Sequence, residues 1–162
     1  MQEYITPHFA LVVKQKAFIT YMDLDVFGSH VNTSQLNTTV ELLKKNLPSI
    51  FMSKCFNEKN LPFFKEVENT EIGHLFEHIL LEFLYEIKKG QGRFPAIHNG
   101  ITKWNWVLEK RGTFHIEIDC GIEDREILTV AIEKSIALVE RVLNQVPINS
   151  RNIFPDTLPF KG

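Results

Sequence analysis

Two histidines and a glutamate stand in the spacing HxxEH at His74, Glu77 and His78. Residues four apart on a helix share one ridge, so both imidazoles would reach a single metal ion, with Glu77 beside them. Two neutral imidazoles can hold zinc while a neighbouring carboxylate takes a proton from the bound water, which is the logic of the inverted zincin motif. The chemistry needs nitrogen ligands at fixed spacing, a base that does not itself occupy the metal, and an open coordination position. The spacing therefore predicts a Zn2+ site with His74 and His78 as metal ligands and Glu77 as the catalytic base.

A third protein ligand, commonly an acidic residue distant in sequence, completes such a site. Glu123 is the first choice, because a strand-to-helix turn there would lie in the layer where helices pack. Asp119 is the alternative, although it alternates away from the apolar strand face, and Glu126 and Glu133 stay open on the helix that follows. His8, His30, His98 and His115 have no partner at ligand spacing and read as ordinary polar residues. Ser29 and Ser34 lack a nucleophile-elbow context, and no glycine-rich loop follows a strand, so nucleotide-dependent ligation has no support. Glu66, Glu68 and Glu71 form an acidic run just before the motif, which reads as a solvated face able to attract a cationic substrate.

The element that must carry the motif is well marked. A helix is predicted from an N-cap at Asn69 or Thr70, with Glu71 in its first turn, to Lys88-Lys89-Gly90, where two cations and a glycine form a stop signal. Ile72, Leu75, Phe76, Ile79, Leu80, Phe83, Leu84 and Ile87 make one apolar face, and the two histidines fall nearly opposite its centre. Leu81 and Tyr85 share the histidine side, as the wall of a pocket would.

Around this helix the pattern predicts an α+β domain of two β-hairpins in a mainly antiparallel sheet with helices packed on it. Ala10 to Val13 and Phe18 to Leu24 flank Lys14-Gln15-Lys16 as one hairpin. Ile101 to Glu109 and Thr113 to Cys120 flank Lys110-Arg111-Gly112 as the other, with Trp104, Trp106 and Leu108 matching Phe114, Ile116 and Ile118 on the buried face. Leu36, Val40, Leu43 and Leu47 predict a helix capped by Thr33 or Ser34 and ended by Pro48. A final helix is expected from about Glu123 to Asn144, and 146–162 reads as an extended tail.

Composition sets the outer limits. The 162 residues suit a single domain spanning 1–162, and 44% hydrophobic with 23% charged residues is near the globular average. A net charge of -2 offers no basic face for nucleic acid, and no apolar run is long enough for a membrane span. The start Met1-Gln2-Glu3-Tyr4 lacks the pattern of a signal peptide, so a cytoplasmic protein is expected, and a homo-oligomer remains open. Cys55 and Cys120 fit reduced thiols better than a disulfide.

The segments Phe18-Ile19-Thr20-Tyr21-Met22-Asp23-Leu24, Leu43-Lys44-Lys45-Asn46-Leu47-Pro48-Ser49, Gly73-His74-Leu75-Phe76-Glu77-His78-Ile79 and Gly112-Thr113-Phe114 recur here in order and spacing. In these pieces the chain resembles the amino-terminal domain of cyanophycin synthetase, the enzyme that builds an arginine-bearing polyaspartate polymer. The resemblance implies a domain that handles the polymer and in some synthetases cuts it at the HxxEH site, with Arg93 or Trp104 in a substrate-binding position. It also implies that the ATP-dependent ligase domains lie outside this chain. Two functions follow as expectations: a zinc-dependent hydrolase of cyanophycin-like or related peptides, or a non-catalytic polymer-binding module that keeps the fold. Zinc serving only to tie helices together is a third.

Overall fold

A computed structural model describes residues 1–53 and 62–145. Cys55 and the expected tail at 146–162 lie outside the described residues.

Alternation of apolar and polar residues builds the sheet. Phe9, Leu11 and Val13 on β2 (Phe9–Gln15), Met22, Leu24 and Val26 on β3 (Thr20–Val26), and Phe114, Ile116 and Ile118 on β5 (Thr113–Ile118) all point to one side and are buried. With β1 (Gln2–Ile5) and β4 (Gly100–Lys103) they form a five-stranded antiparallel sheet in the order β1-β2-β3-β5-β4. Four helices pack on its apolar face: α1 (Thr39–Asn46), α2 (Phe63–Glu66), α3 (Ile72–Gly90) and α4 (Arg125–Leu143). The result is an α+β fold with both expected hairpins, and no helix among the described residues is long and apolar enough to cross a membrane.

The structure corrects several details of register. Lys14 and Gln15 belong to β2, and the turn is made by Lys16 to Ile19. The second hairpin pairs Gly100 with Ile118 and Thr102 with Ile116; Trp104 and Trp106 both lie edge-on to Phe114, and Leu108 is not matched to a β5 apolar residue. Asn105 ends the strand: its side chain accepts the Val107 N–H and its carbonyl accepts from Leu108 and Glu109. Leu108 is consequently exposed, while Trp106 folds back, donates its indole N–H to the Thr113 carbonyl and lays its ring edge-on to Phe114. Before α1, Thr33 and Ser34 form a 3-10 turn capped by the Asn32 side chain, and the α-helix starts at Thr39. Strand β1 escapes the sequence pattern because it is short and mostly exposed.

Lys88 also departs from expectation. Lys89 follows the stop-signal reading and lies over the Tyr85 ring, but Lys88 is buried, donating to Asp124 at 2.7 Å and to His98 Nε2 at 3.0 Å. Arg93 donates to the other Asp124 oxygen at 2.7 Å. Burial alone would raise the Asp124 pKa, yet the Lys88 ammonium and the Arg93 guanidinium outweigh it and hold the carboxyl below its ordinary value. Removing Lys88 leaves the Asp124 carboxylate compensated by Arg93 at one oxygen and without its ion pair at the other. Lys88→Met is therefore expected to lower unfolding free energy in urea by on the order of 3 kcal/mol.

The long helix packs tightly against the sheet at Gly73. A Cβ there would come within 2.3 Å of the Phe114 ring, so only glycine lets α3 approach β5 at this point. Gly73→Ala is expected to cost about 1–3 kcal/mol in the same measurement despite alanine's better helix propensity, and Phe114→Leu in the same chain should recover part of the loss.

Candidate metal centre

The first two turns of α3 present His74 and His78 with their Nε2 atoms facing each other at 3.1 Å. The rings are nearly perpendicular, at 84° with centroids 4.6 Å apart. Two imidazoles on one tetrahedral zinc, each at about 2.0–2.1 Å, would have their nitrogens about 3.3 Å apart, so the pair is close to a chelating geometry. His74, Glu77 and His78 each offer a ligand-type atom, all within 4.8 Å of one another.

Neighbouring residues hold these rings in place. Thr70, expected as a helix cap, instead sets its hydroxyl against His74 Nδ1 at 2.8 Å, while Glu71 takes the N-cap position without a side-chain cap. A hydrogen bond at one ring nitrogen is what orients the other toward a metal. His78 is stacked on Phe63 from α2, with centroids 4.4 Å apart and planes 10° off parallel. Burial pushes the His78 pKa down to about 3, helped by the proximity of His74, and burial also lowers that of His74. Both rings are thus neutral at pH 7, with lone pairs available to a cation.

Glu77 reaches the pair from the sheet side of the helix. Thr102 on β4 donates its hydroxyl to Glu77 Oε1 at 2.7 Å, and Gly100 leaves room for the side chain, since a Cβ there would sit 3.0 Å from Glu77 Cγ. Burial raises the carboxyl pKa and the Thr102 hydrogen bond opposes that rise, so Glu77 is poised as a stronger base than a surface glutamate.

Glu66 is the acidic residue that the fold brings here. It lies one turn beyond Phe63 on α2, is buried, and its negative charge raises the proton affinity of His74 against the effect of burial. Residue types alone mark an acidic run but do not separate Glu66 from Glu68 and Glu71. The distinguishing signal is its helical spacing from Phe63, which puts it on the buried face of a one-turn helix. Glu71, by contrast, accepts from the Asn32 side chain at 3.0 Å.

Glu123 and Asp119 are not brought to the pair. Glu123 is exposed in the 3-10 turn Ile122–Asp124, whose Asp124 bonds Lys88, ten positions beyond His78 and about 15 Å further along the helix. Asp119 is engaged by the Asn99 backbone and side chain and by His98 Nδ1. Glu126 and Glu133 are exposed on α4. Of the two residues named for substrate, Arg93 belongs to the Lys88 end of α3, whereas Trp104 packs edge-on to Phe114, the ring that covers Gly73, and so lies at the His74 end.

Three of the remaining histidines have specific partners. His8 pairs with Glu140, His115 bridges Asp23 and Glu109 on the open face of the sheet, and His98 accepts from Lys88. His98, Cys120 and Asp124 form a second cluster with metal-ligand atoms, but there the Lys88 ammonium already supplies the cation. Burial pushes the Cys120 thiol up to about 12, with Asp124 adding to the effect, which keeps it protonated.

Residues 20–144 match the family model described as Cyanophycin synthase-like N-terminal domain. The chain belongs to this family. The match spans β3 through α4 and so contains the whole HxxEH site of this cyanophycin synthase-like domain. Neither a search of curated proteins nor one of solved structures found a match.

Proton titration separates the buried histidines from the exposed one. In chelator-treated protein followed by NMR, the His78 ring is expected to stay neutral from pH 8 to about pH 4, whereas His115, raised chiefly by its hydrogen bonds to Asp23 and Glu109, should titrate above 6.5. The unfolded chain binds a proton at His78 below about 6.5 and the folded chain does not, so this group's contribution to stability should fall as pH drops from about 6.5 toward 3.

Proposed function

We propose that this domain is a zinc-dependent hydrolase of peptide chains, with arginine-bearing polyaspartate as the substrate class suggested by its family. The observation that carries this reading is the convergence of two neutral imidazole Nε2 atoms at 3.1 Å beside a buried carboxylate of raised pKa. His74 and His78 would hold the ion, with Glu66 as the acidic partner in place of Glu123. When bound there, zinc supplies Lewis-acid polarisation of the scissile carbonyl and lowers the pKa of water at the site.

The remaining chemistry belongs to the protein. Thr102 anchors Glu77 Oε1, which makes Oε2 the oxygen that takes the proton as water attacks the amide carbon. As the new C–O bond forms and the C–N bond breaks, the same carboxyl returns that proton to the departing amine. Thr70 fixes the His74 ring, and Phe63 and the surrounding apolar residues limit solvent around His78, so that Glu77 acts in a medium where its basicity is retained.

Glu77→Gln should bind zinc as the unaltered protein does, by elemental analysis after dialysis, while cleavage of an arginine-bearing aspartate oligomer falls by about a hundredfold or more. Thr70→Val should weaken zinc binding by about 10–100-fold through loss of the bond that orients His74. Cleavage undiminished in Glu77→Gln removes the proposed base. Zinc-loaded protein that binds the oligomer without cutting it would favour the binding-module reading.

A further inference from the structure

Resting on the peptide-hydrolase reading, we infer that the free edge of β4 is where the substrate backbone docks, as a sixth strand paired antiparallel to Gly100–Lys103. Among the described residues β4 pairs with β5 alone and closes the sheet on that side. An edge strand with unpaired backbone groups is a template for an extended chain, and strand addition is a common way of holding peptides without reading their side chains.

The register decides which groups of β4 are free. The Asp119 N–H donates to the Asn99 carbonyl at 3.0 Å, so Asn99 and Asp119 form a hydrogen-bonded pair in the antiparallel ladder. Such pairs alternate, which makes Ile101 with Glu117 and Lys103 with His115 the bonded partners across the β4–β5 seam. The other side of β5 agrees. Val26 donates to the Gly112 carbonyl at 2.9 Å, which places Met22 with Ile116 and Thr20 with Ile118 in bonded positions and turns the Ile116 and Ile118 backbones toward β3. It follows that the N–H and C=O groups of Gly100 and Thr102 point outward along the open edge.

Both residues touch Glu77. Thr102 donates its hydroxyl to the Glu77 carboxylate, and the missing side chain of Gly100 accommodates Glu77 Cγ and Cδ. A strand added about 4.8 Å from β4 would therefore run past the proposed base with its amides in the plane of the sheet. Pairing at Gly100 and Thr102 fixes the register of that strand, and with it which peptide bond lies at His74, Glu77 and His78. The edge thus provides the positioning that general-base hydrolysis of an otherwise flexible chain requires. Side chains of the added strand would alternate between the helix side and the open face, so the backbone contacts tolerate varied or repetitive side chains.

The test uses an arginine-bearing aspartate oligomer as probe and follows amide hydrogen exchange by NMR in Glu77→Gln, which prevents turnover. Gly100 and Thr102 amides should exchange quickly in the free protein and slow by about tenfold or more when the oligomer binds, while Ile101 and Lys103, already bonded to β5, change little. With the unaltered protein, N-methylation of alternate oligomer amides should raise KM by about tenfold with kcat little changed, and methylation between them should not. An oligomer that is cleaved while Gly100 and Thr102 exchange is unaffected, or whose methylation series shows no alternation, overturns the docking edge and leaves the hydrolase standing. An oligomer that the unaltered protein neither binds nor cleaves overturns both.

Discussion

The burial of one face of α3 against the apolar side of the sheet is the constraint on which the rest depends. Leu75, Phe76, Ile79 and Leu80 are fully buried there, each contributing roughly 1.5–3 kcal/mol by leaving water. Because Gly73 lets the helix reach Phe114, the helix is close enough to the sheet for Glu77 to meet Thr102 and Gly100. The same contact turns His74 and His78 toward α2. A helix held an ångström or two farther out would keep the HxxEH sequence and lose the hydrogen bond that anchors its carboxylate.

That burial is also what shifts the chemistry of the polar residues. His78 and Glu77 are largely shielded from water and each is driven toward its neutral form, the imidazole downward in pKa and the carboxyl upward. Both shifts suit the proposed pair of nitrogen ligands beside a base. At the other end of the same helix burial has a different outcome, because Lys88 meets Asp124, Arg93 and His98 and keeps its ionic partners. One helix therefore carries the proposed metal site near its start and a cluster already satisfied by an internal cation near its end.

Much of this was legible from residue spacing. The period of α3 and α4, the alternation in β2, β3 and β5, and the HxxEH ridge all express local geometry and appear where expected. The failures are of another kind. Trp104 to Leu108 alternates like a strand, but the Asn105 side chain captures the next turn and sends Trp106 back onto Phe114. Lys88 has the position of a stop signal, and its burial depends on Asp124, which is distant in sequence. Glu66 is hidden in an acidic run because only the one-turn helix that also positions Phe63 distinguishes it from its neighbours. Asp119 and Glu123 satisfied the rule that a third ligand comes from far along the chain, yet Glu123 lies exposed in the turn that meets the far end of α3, and Asp119 is engaged by Asn99 and His98.

The central claim concerns what the two facing nitrogens hold, and zinc K-edge X-ray absorption of the protein loaded with one equivalent of zinc reads that shell directly. The expected spectrum has two imidazole nitrogens at about 2.0–2.1 Å with the remaining positions filled by oxygen. Sulfur in the shell, or fewer than two imidazoles, would place the ion elsewhere and contradict the account.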